Sequence, residues 1–248
     1  MTGDGAAHIW TVMAQDIWIG IEDSGGLASG WRFDGATVVE AASGASVAEV
    51  VARLGDAPTL IVGDSKAAQP VPAAILPDTL PLTALTQERP QGHLDAPTRL
   101  RIAGPVAARK NWDGVVCVPM AEVTHWCQIS ADEVVSFQSA LTPMLARMLG
   151  ASQTADPQAL ADTMSRPERL SLHLRSARLA GAAESVAGHL LGAELAAMRP
   201  YWLGQRVIVI APNSLYSKAL ASQGVPVELL HPDEAARDGL LALRGRSR

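Results

Sequence analysis

Val207–Leu230 reads "VIVIAPNSLYSKALASQGVPVELL", and its parsing decides the fold. The run "QRVIVIAPN" is short, β-branched and bounded by Pro212, which predicts a buried strand. "SLYSKALASQG" predicts a helix with a glycine stop, and "VPVELL" a further strand. "DEAARDGLLALRG" then follows as another helix. Strand, helix, strand and helix in succession are the pattern of an α/β protein. Asn213-Ser214 is a polar helix start at the carboxyl end of a strand, where α/β proteins bind ligands. Capping the helix is the ordinary task of these residue types.

Working upstream, "ESVAGHLLGAELAAMRP" predicts the clearest helix of the chain, stopped by Pro200. Gly188, Gly192 and Ala196 recur at four-residue spacing within it. Glycine weakens a helix interior, so this spacing predicts a face where another backbone approaches closely. "LTPMLARML" predicts a helix with Thr142 as N-cap and Pro143 at the first helical position. Before it, "DGVVCVPM", "THWCQI" and "EVVSFQS" read as three strands, with "SADE" turning the chain. Residues 66–100 are rich in Pro, Gln and Thr, and Pro70, Pro72, Pro77 and Pro81 deny long helices there. Edge strands or an irregular excursion are expected.

"APTLIVGDS" predicts a buried strand ending at Gly63-Asp64, preceded by a helix over Ser46–Leu54. Asp34-Gly35 suits a tight turn into "ATVVEAA". The opening stretch "HIWTVMAQDIWIGIEDSGG", His8 to Gly26, reads as strand, loop, second strand and glycine turn. No repeat of fixed period is visible.

A chain of 248 residues can bury a sizeable core in one large or two modest domains. A formal charge of −5 argues against a nucleic-acid partner. The basic tail "RGRSR" is short enough to be a solubilising end. Cys117 and Cys127 have neither zinc nor disulfide-scaffold spacing and are expected as buried thiols. Without a signal-like N-terminus or a bilayer-length apolar run, a cytoplasmic protein with no membrane partner is expected.

P-loop, nucleophile-elbow, zincin and dinucleotide motifs are absent. His125, beside Trp126, suits a site or a structural role. Asp64 either orients a ligand or caps the next turn. Arg175 either binds an anion or solvates a helix face. Residue by residue, this is a soluble α/β domain able to take a small-molecule ligand.

Three segments read in order carry a resemblance: "ERLSLHLRSARLAG", "GHLLGAELAAMRPYW" and "VIVIAPNSLYSKALASQGVPVELL". Together, within Val115–Leu240, they resemble the 2-dehydro-3-deoxygalactonokinases. The resemblance implies the two-lobed actin-like, hexokinase-like ATPase fold (ribonuclease H-like), with an N-terminal lobe over residues 1–110, shortened, and a C-terminal lobe over 111–248. It implies ATP and Mg²⁺ as cofactors and a 2-keto-3-deoxy sugar acid as substrate; whether the chain forms a homo-oligomer is left open by the sequence. Asp64, His125 and Arg175 are then the substrate-side candidates, and Glu194, Asn213 and Ser214 the nucleotide-side ones. Asp16 is the catalytic candidate.

The departures cluster on the phosphate chemistry. The family's first strand, Asp-Trp-Gly-Thr/Ser loop and second strand with "LRAW" place Met13, Ala14, Gln15 and Asp16 in the loop. "PGTHSKW" becomes "PMAEVTHW", Pro119 to Trp126. "FRTxMTGE" becomes "FQSALTPM", with Gln138, Pro143 and Met144 replacing Arg, Gly and Glu. "RGEETQ" has no counterpart near "APTRLRIAG", and Ala211-Pro212 replaces a glycine. Phosphoryl transfer needs metal-holding carboxylates, donors and positive charge. Losing these groups implies degraded catalysis; the alternative is a non-catalytic sugar-acid-binding or protein-interaction pseudokinase.

Overall fold

In the computed structural model, which describes residues 16–63 and 67–246, two sheets repeat one plan. In the first, β1 (Ile17–Asp23), β2 (Ala28–Asp34) and β3 (Thr37–Gly44) form an antiparallel meander. Helix α1 (Val47–Leu54) then returns the chain to β4 (Thr59–Gly63), parallel to β1, giving the order β3-β2-β1-β4. Ser46 caps α1 by accepting the Glu49 N–H at 3.3 Å, and Gly35 makes the expected turn with φ 61°.

A hairpin joins β1 to β2. Asp16 leads into β1, and the hairpin turn is Ser24–Leu27, closed by Ser24 N–H donating to the Leu27 carbonyl at 3.0 Å. Gly25 and Gly26, at φ 71° and 112°, supply the left-handed backbone this turn needs. Met13, Ala14 and Gln15 lie outside the described residues, as does Asp64.

Short strands β5 (Ala68–Pro70), β6 (Ala73–Ala74), β7 (Ala84–Glu88) and β8 (Gln91–Leu94) occupy the proline-rich segment. β5, β7 and β8 make a small sheet of their own. Helix α2 (Ala96–Ala107) begins inside this segment, against expectation. Asp95 caps it, accepting the Thr98 N–H at 2.6 Å, and Pro97 sits in the first turn, where no intrahelical N–H is required.

The second sheet starts with the meander β9 (Gly114–Pro119), β10 (Thr124–Ser130) and β11 (Glu133–Ala140). Helices α3 (Thr142–Leu149), α4 (Pro157–Ser165), α5 (Leu170–Leu179), α6 (Ala183–Ala197) and α7 (Arg199–Trp202) follow. The cap of α3 is Leu141, not Thr142, and makes no side-chain bond. Then come β12 (Val207–Ile210), α8 (Leu215–Ala221), β13 (Val227–Leu230) and α9 (Pro232–Arg246). The order is β13-β12-β9-β10-β11-β6: meander on one side, parallel strands on the other, as in the first sheet.

Glycine permits two close helix crossings. A Cβ on Gly192 would strike the Leu160 carbonyl and one on Gly188 the Asp156 carbonyl, so α6 meets α4 through the predicted stripe. Gly104 and Gly239 likewise bring α2 and α9 together, backbone against backbone. The main core joins Trp18, stacked on Phe33 at 4.2 Å, with Leu100, Phe137, Leu240 and Leu243. Cys117 and Cys127 are both buried and unpaired. Among the described residues no helix is long and apolar enough to cross a membrane.

Candidate functional site

A cavity of about 710 Å³ opens where the carboxyl ends of the second sheet's strands face α2. Its walls include Arg101 of α2, Met120 at the β9–β10 turn, Thr142 and Pro143 of α3, and Asn213 and Tyr216 around the start of α8. That volume suits a ligand of nucleotide size.

A buried network frames the inner wall. Glu194 of α6 is 3% exposed; its Oε1 accepts the Trp126 indole N–H at 2.7 Å, and its Oε2 accepts the Tyr216 hydroxyl at 2.9 Å. Thr124 completes the chain on the Tyr216 oxygen at 2.7 Å. Burial raises the Glu194 pKa, against the lowering effect of hydrogen bonds from Thr142, Trp126, Tyr216 and Thr124. One carboxylate thus fixes β10, α3, α6 and α8 relative to one another, from behind the cavity wall.

A second buried carboxylate lies next to Arg101, outside the cavity lining. Glu22, the penultimate residue of β1 and 2% exposed, pairs with Arg101 at 2.7 Å. Burial pushes its pKa up to about 7 in spite of the opposing Arg101 charge, and Asp95 and Asp233 push it further the same way. Its Oε2 and the Arg101 Nε are buried without hydrogen-bond partners. Arg101 Nη1 rests on the Met120 sulfur at 3.1 Å, a weak acceptor. Next in sequence, Asp23 accepts the Gly25 N–H at 3.1 Å.

Neither Glu22 nor Arg101 stood out in sequence. The signal was there for Glu22: with Trp31 as the tryptophan of the second strand, the loop after the first strand becomes "EDSGG", Glu22 to Gly26. Asp16 stands at the opposite end of β1, about 23 Å away for seven extended residues. It is bound there to Arg244 at 2.6 Å. Arg244 also lies over the Trp18 ring. Asp16, the catalytic candidate, is therefore placed away from the cavity lining.

Asn213 does line the cavity. Its Oδ1 accepts the Leu215 N–H at 3.0 Å and its Nδ2 donates to Gln153 at 3.0 Å, so it orders the loop before α8. Ser214 is the residue before α8 and makes no side-chain cap bond. Arg175 lies on an exposed position of α5, away from the cavity lining.

His125, 5% exposed, shares a 2.9 Å hydrogen bond with Ser139. Burial holds its pKa down at about 4, with Asp95 opposing and His93 adding to the shift. An imidazole depressed from 6.5 stabilises fully above pH 6.5 and loses that contribution as pH falls toward 4. The loss approaches about 3 kcal/mol. Urea unfolding at pH 7 and pH 4.5 is expected to show a smaller acid loss for His125→Asn than for wild type. Equal losses would contradict this.

The family model for 2-keto-3-deoxy-galactonokinase matches residues 99–243, more than half of the chain. A protein from Sinorhizobium meliloti described as a 2-dehydro-3-deoxygalactonokinase superposes with a TM-score of 0.75 at 20% identity, covering 92% of this chain and 98% of that one. Component A of (R)-2-hydroxyglutaryl-CoA dehydratase from Acidaminococcus fermentans gives 0.52 at 12% identity, covering 94% and 99%. The activator of 2-hydroxyisocaproyl-CoA dehydratase from Clostridium difficile, solved with bound ADPNP, gives 0.50 at 12% identity, covering 93% and 94%. A comparison with curated proteins finds no match. The duplicated sheets and these neighbours establish the actin-like, hexokinase-like fold, and the chain belongs to the 2-keto-3-deoxy-galactonokinase family.

Proposed function

We propose that this chain binds ATP and a 2-keto-3-deoxy sugar acid in the 710 Å³ cleft, and that phosphoryl transfer between them is slow or lost. The observation that carries the reading is Arg101 on the wall of an otherwise well-formed cleft, paired with the buried Glu22. The loop at Ala211–Asn213 and the apolar face of α6 at Leu190 and Leu191 suit the base and ribose. The phosphates would then point toward the turn at Glu22–Gly26, where Gly26 lets a ligand approach the backbone. Of the acceptor-side candidates, His125 is neutral and held by Ser139, but it is buried and outside the cavity lining.

The family's reaction implies magnesium, which prefers several hard oxygen ligands. The residues present do not fit it. One oxygen of Glu22 already holds a guanidinium, whose other side meets a thioether, and a divalent cation there would confront Arg101. The chain's own groups still bind and orient: Tyr216 and Thr142 line the cleft, and Glu194 keeps them in place.

Calorimetric titration with ATP and with 2-keto-3-deoxygalactonate, beside an assay of ADP release, tests the reading. Binding of both ligands is expected, with turnover far below about 1 per second, the lower end of ordinary enzyme rates. Turnover within the ordinary range would overturn the catalytic half of the proposal. Silence toward both ligands would overturn the binding half.

A further inference from the structure

We propose that Arg101 is a built-in cation of the cleft that receives a phosphate group of the nucleotide directly, so that nucleotide binding here needs no divalent metal. The inference rests on the reading that the cleft takes a nucleotide.

Arg101 carries donors that have nothing adequate to bind. A guanidinium offers five N–H donors in a planar fork and stays charged at any ordinary pH. On Arg101, Nη2 meets Glu22, Nη1 meets only the sulfur of Met120, and Nε has no partner. The side chain is 15% exposed, and it lines the cavity. A cation on a cavity wall whose remaining donor is held only by a weak acceptor is a site for an anion. Phosphate oxygens match the fork in pairs, whereas a thioether is a poor substitute.

Glu22 makes the site specific to this geometry. It is 2% exposed and does not line the cavity, so it holds one edge of the guanidinium and competes there for its charge. Its own second oxygen is also without a partner. Arg147, another cation on the cavity lining, differs in kind: it is 59% exposed and already paired with Glu122 at 3.1 Å.

The test is calorimetry on the full chain with ATP, adenosine and 2-keto-3-deoxygalactonate, each in excess Mg²⁺ and in EDTA. ATP affinity is expected to change less than about threefold between the two conditions, because arginine, not metal, holds the phosphate. Arg101→Gln is expected to weaken ATP by about 10- to 100-fold in EDTA and leave adenosine unchanged, in line with losing a charge-assisted hydrogen bond. Arg147→Gln should shift ATP by less than about threefold, as an exposed ion pair does.

Should Arg101→Gln fail to fold, Glu22→Gln decides the matter: relieving the competing carboxylate should tighten ATP in EDTA at least about threefold. Unchanged or weaker binding in that variant would overturn the assignment. ATP binding only with Mg²⁺ would overturn it while leaving the proposed function standing. A loss confined to the sugar acid in Arg101→Gln would assign the residue to the substrate carboxylate and overturn the phosphate assignment. Absence of any ATP or adenosine response would overturn the inference and the nucleotide reading together.

Discussion

Arg99→Met is expected to lower the unfolding free energy by about 3–5 kcal/mol, the largest effect of any single substitution considered for this chain. The Arg99 side chain is fully buried. Its guanidinium donates to the carbonyls of Ile75 at 3.1 Å, Thr83 at 2.8 Å and Ala74 at 2.5 Å, and to the Gln69 amide oxygen at 3.0 Å. Burial pulls its pKa down to about 10, which still leaves it charged at neutral pH. These bonds organise the segment from β5 to β7, whose two- and three-residue strands have little ladder bonding of their own. Methionine keeps most of the apolar volume but leaves the carbonyls desolvated and unpaired. Urea unfolding measures the loss, and limited proteolysis should cut residues 68–84 first. A loss below about 1 kcal/mol would mean the segment is held by something else.

Glu194→Ala is expected to cost about 3–4 kcal/mol and to weaken nucleotide binding as well. Removing the carboxylate strands the Trp126 indole N–H and the Tyr216 hydroxyl in a dry interior. The second effect follows because Tyr216 and Thr142 both line the cavity and both lean on Glu194. Glu194→Gln keeps an acceptor for Trp126 and should lose only about 1 kcal/mol. Urea unfolding with tryptophan fluorescence gives the first quantity, and ATP calorimetry the second. If alanine and glutamine behaved alike, the hydrogen bonds would not be what the carboxylate contributes.

How far the sequence could be read depended on the range of the information. β12, α8, β13 and α9 were legible because each is a local periodic run with its own stop signal: Pro212, Gly224, Pro232. The stripe of Gly188 and Gly192 was legible because only a close backbone explains glycine at that spacing. Helix α2 was hidden by prolines that usually end helices, although Pro97 sits in the first turn and Pro105 is tolerated within the helix. The repeated sheet plan was hidden too. The two meanders share strand order, not sequence, and α1 of the first corresponds to five helices in the second. The Glu22–Arg101 pair is a long-range contact that no local pattern announces. The β1–β2 hairpin places the acidic pair Glu22-Asp23 before two glycines at its turn, a pattern that the sequence carries but that was passed over.

The packing of α9 has a consequence for biosynthesis. Leu240 fills the space above Gly20, Arg244 reaches Trp18 and Asp16, and Leu243 joins the same core as β1. Strand β1 therefore receives its cover from a helix that the ribosome makes more than two hundred residues later. Domains usually fold in the order in which they emerge. Here the first sheet leaves the exit tunnel with one apolar face unclothed and waits, and its completion is a closing stitch made across the whole chain.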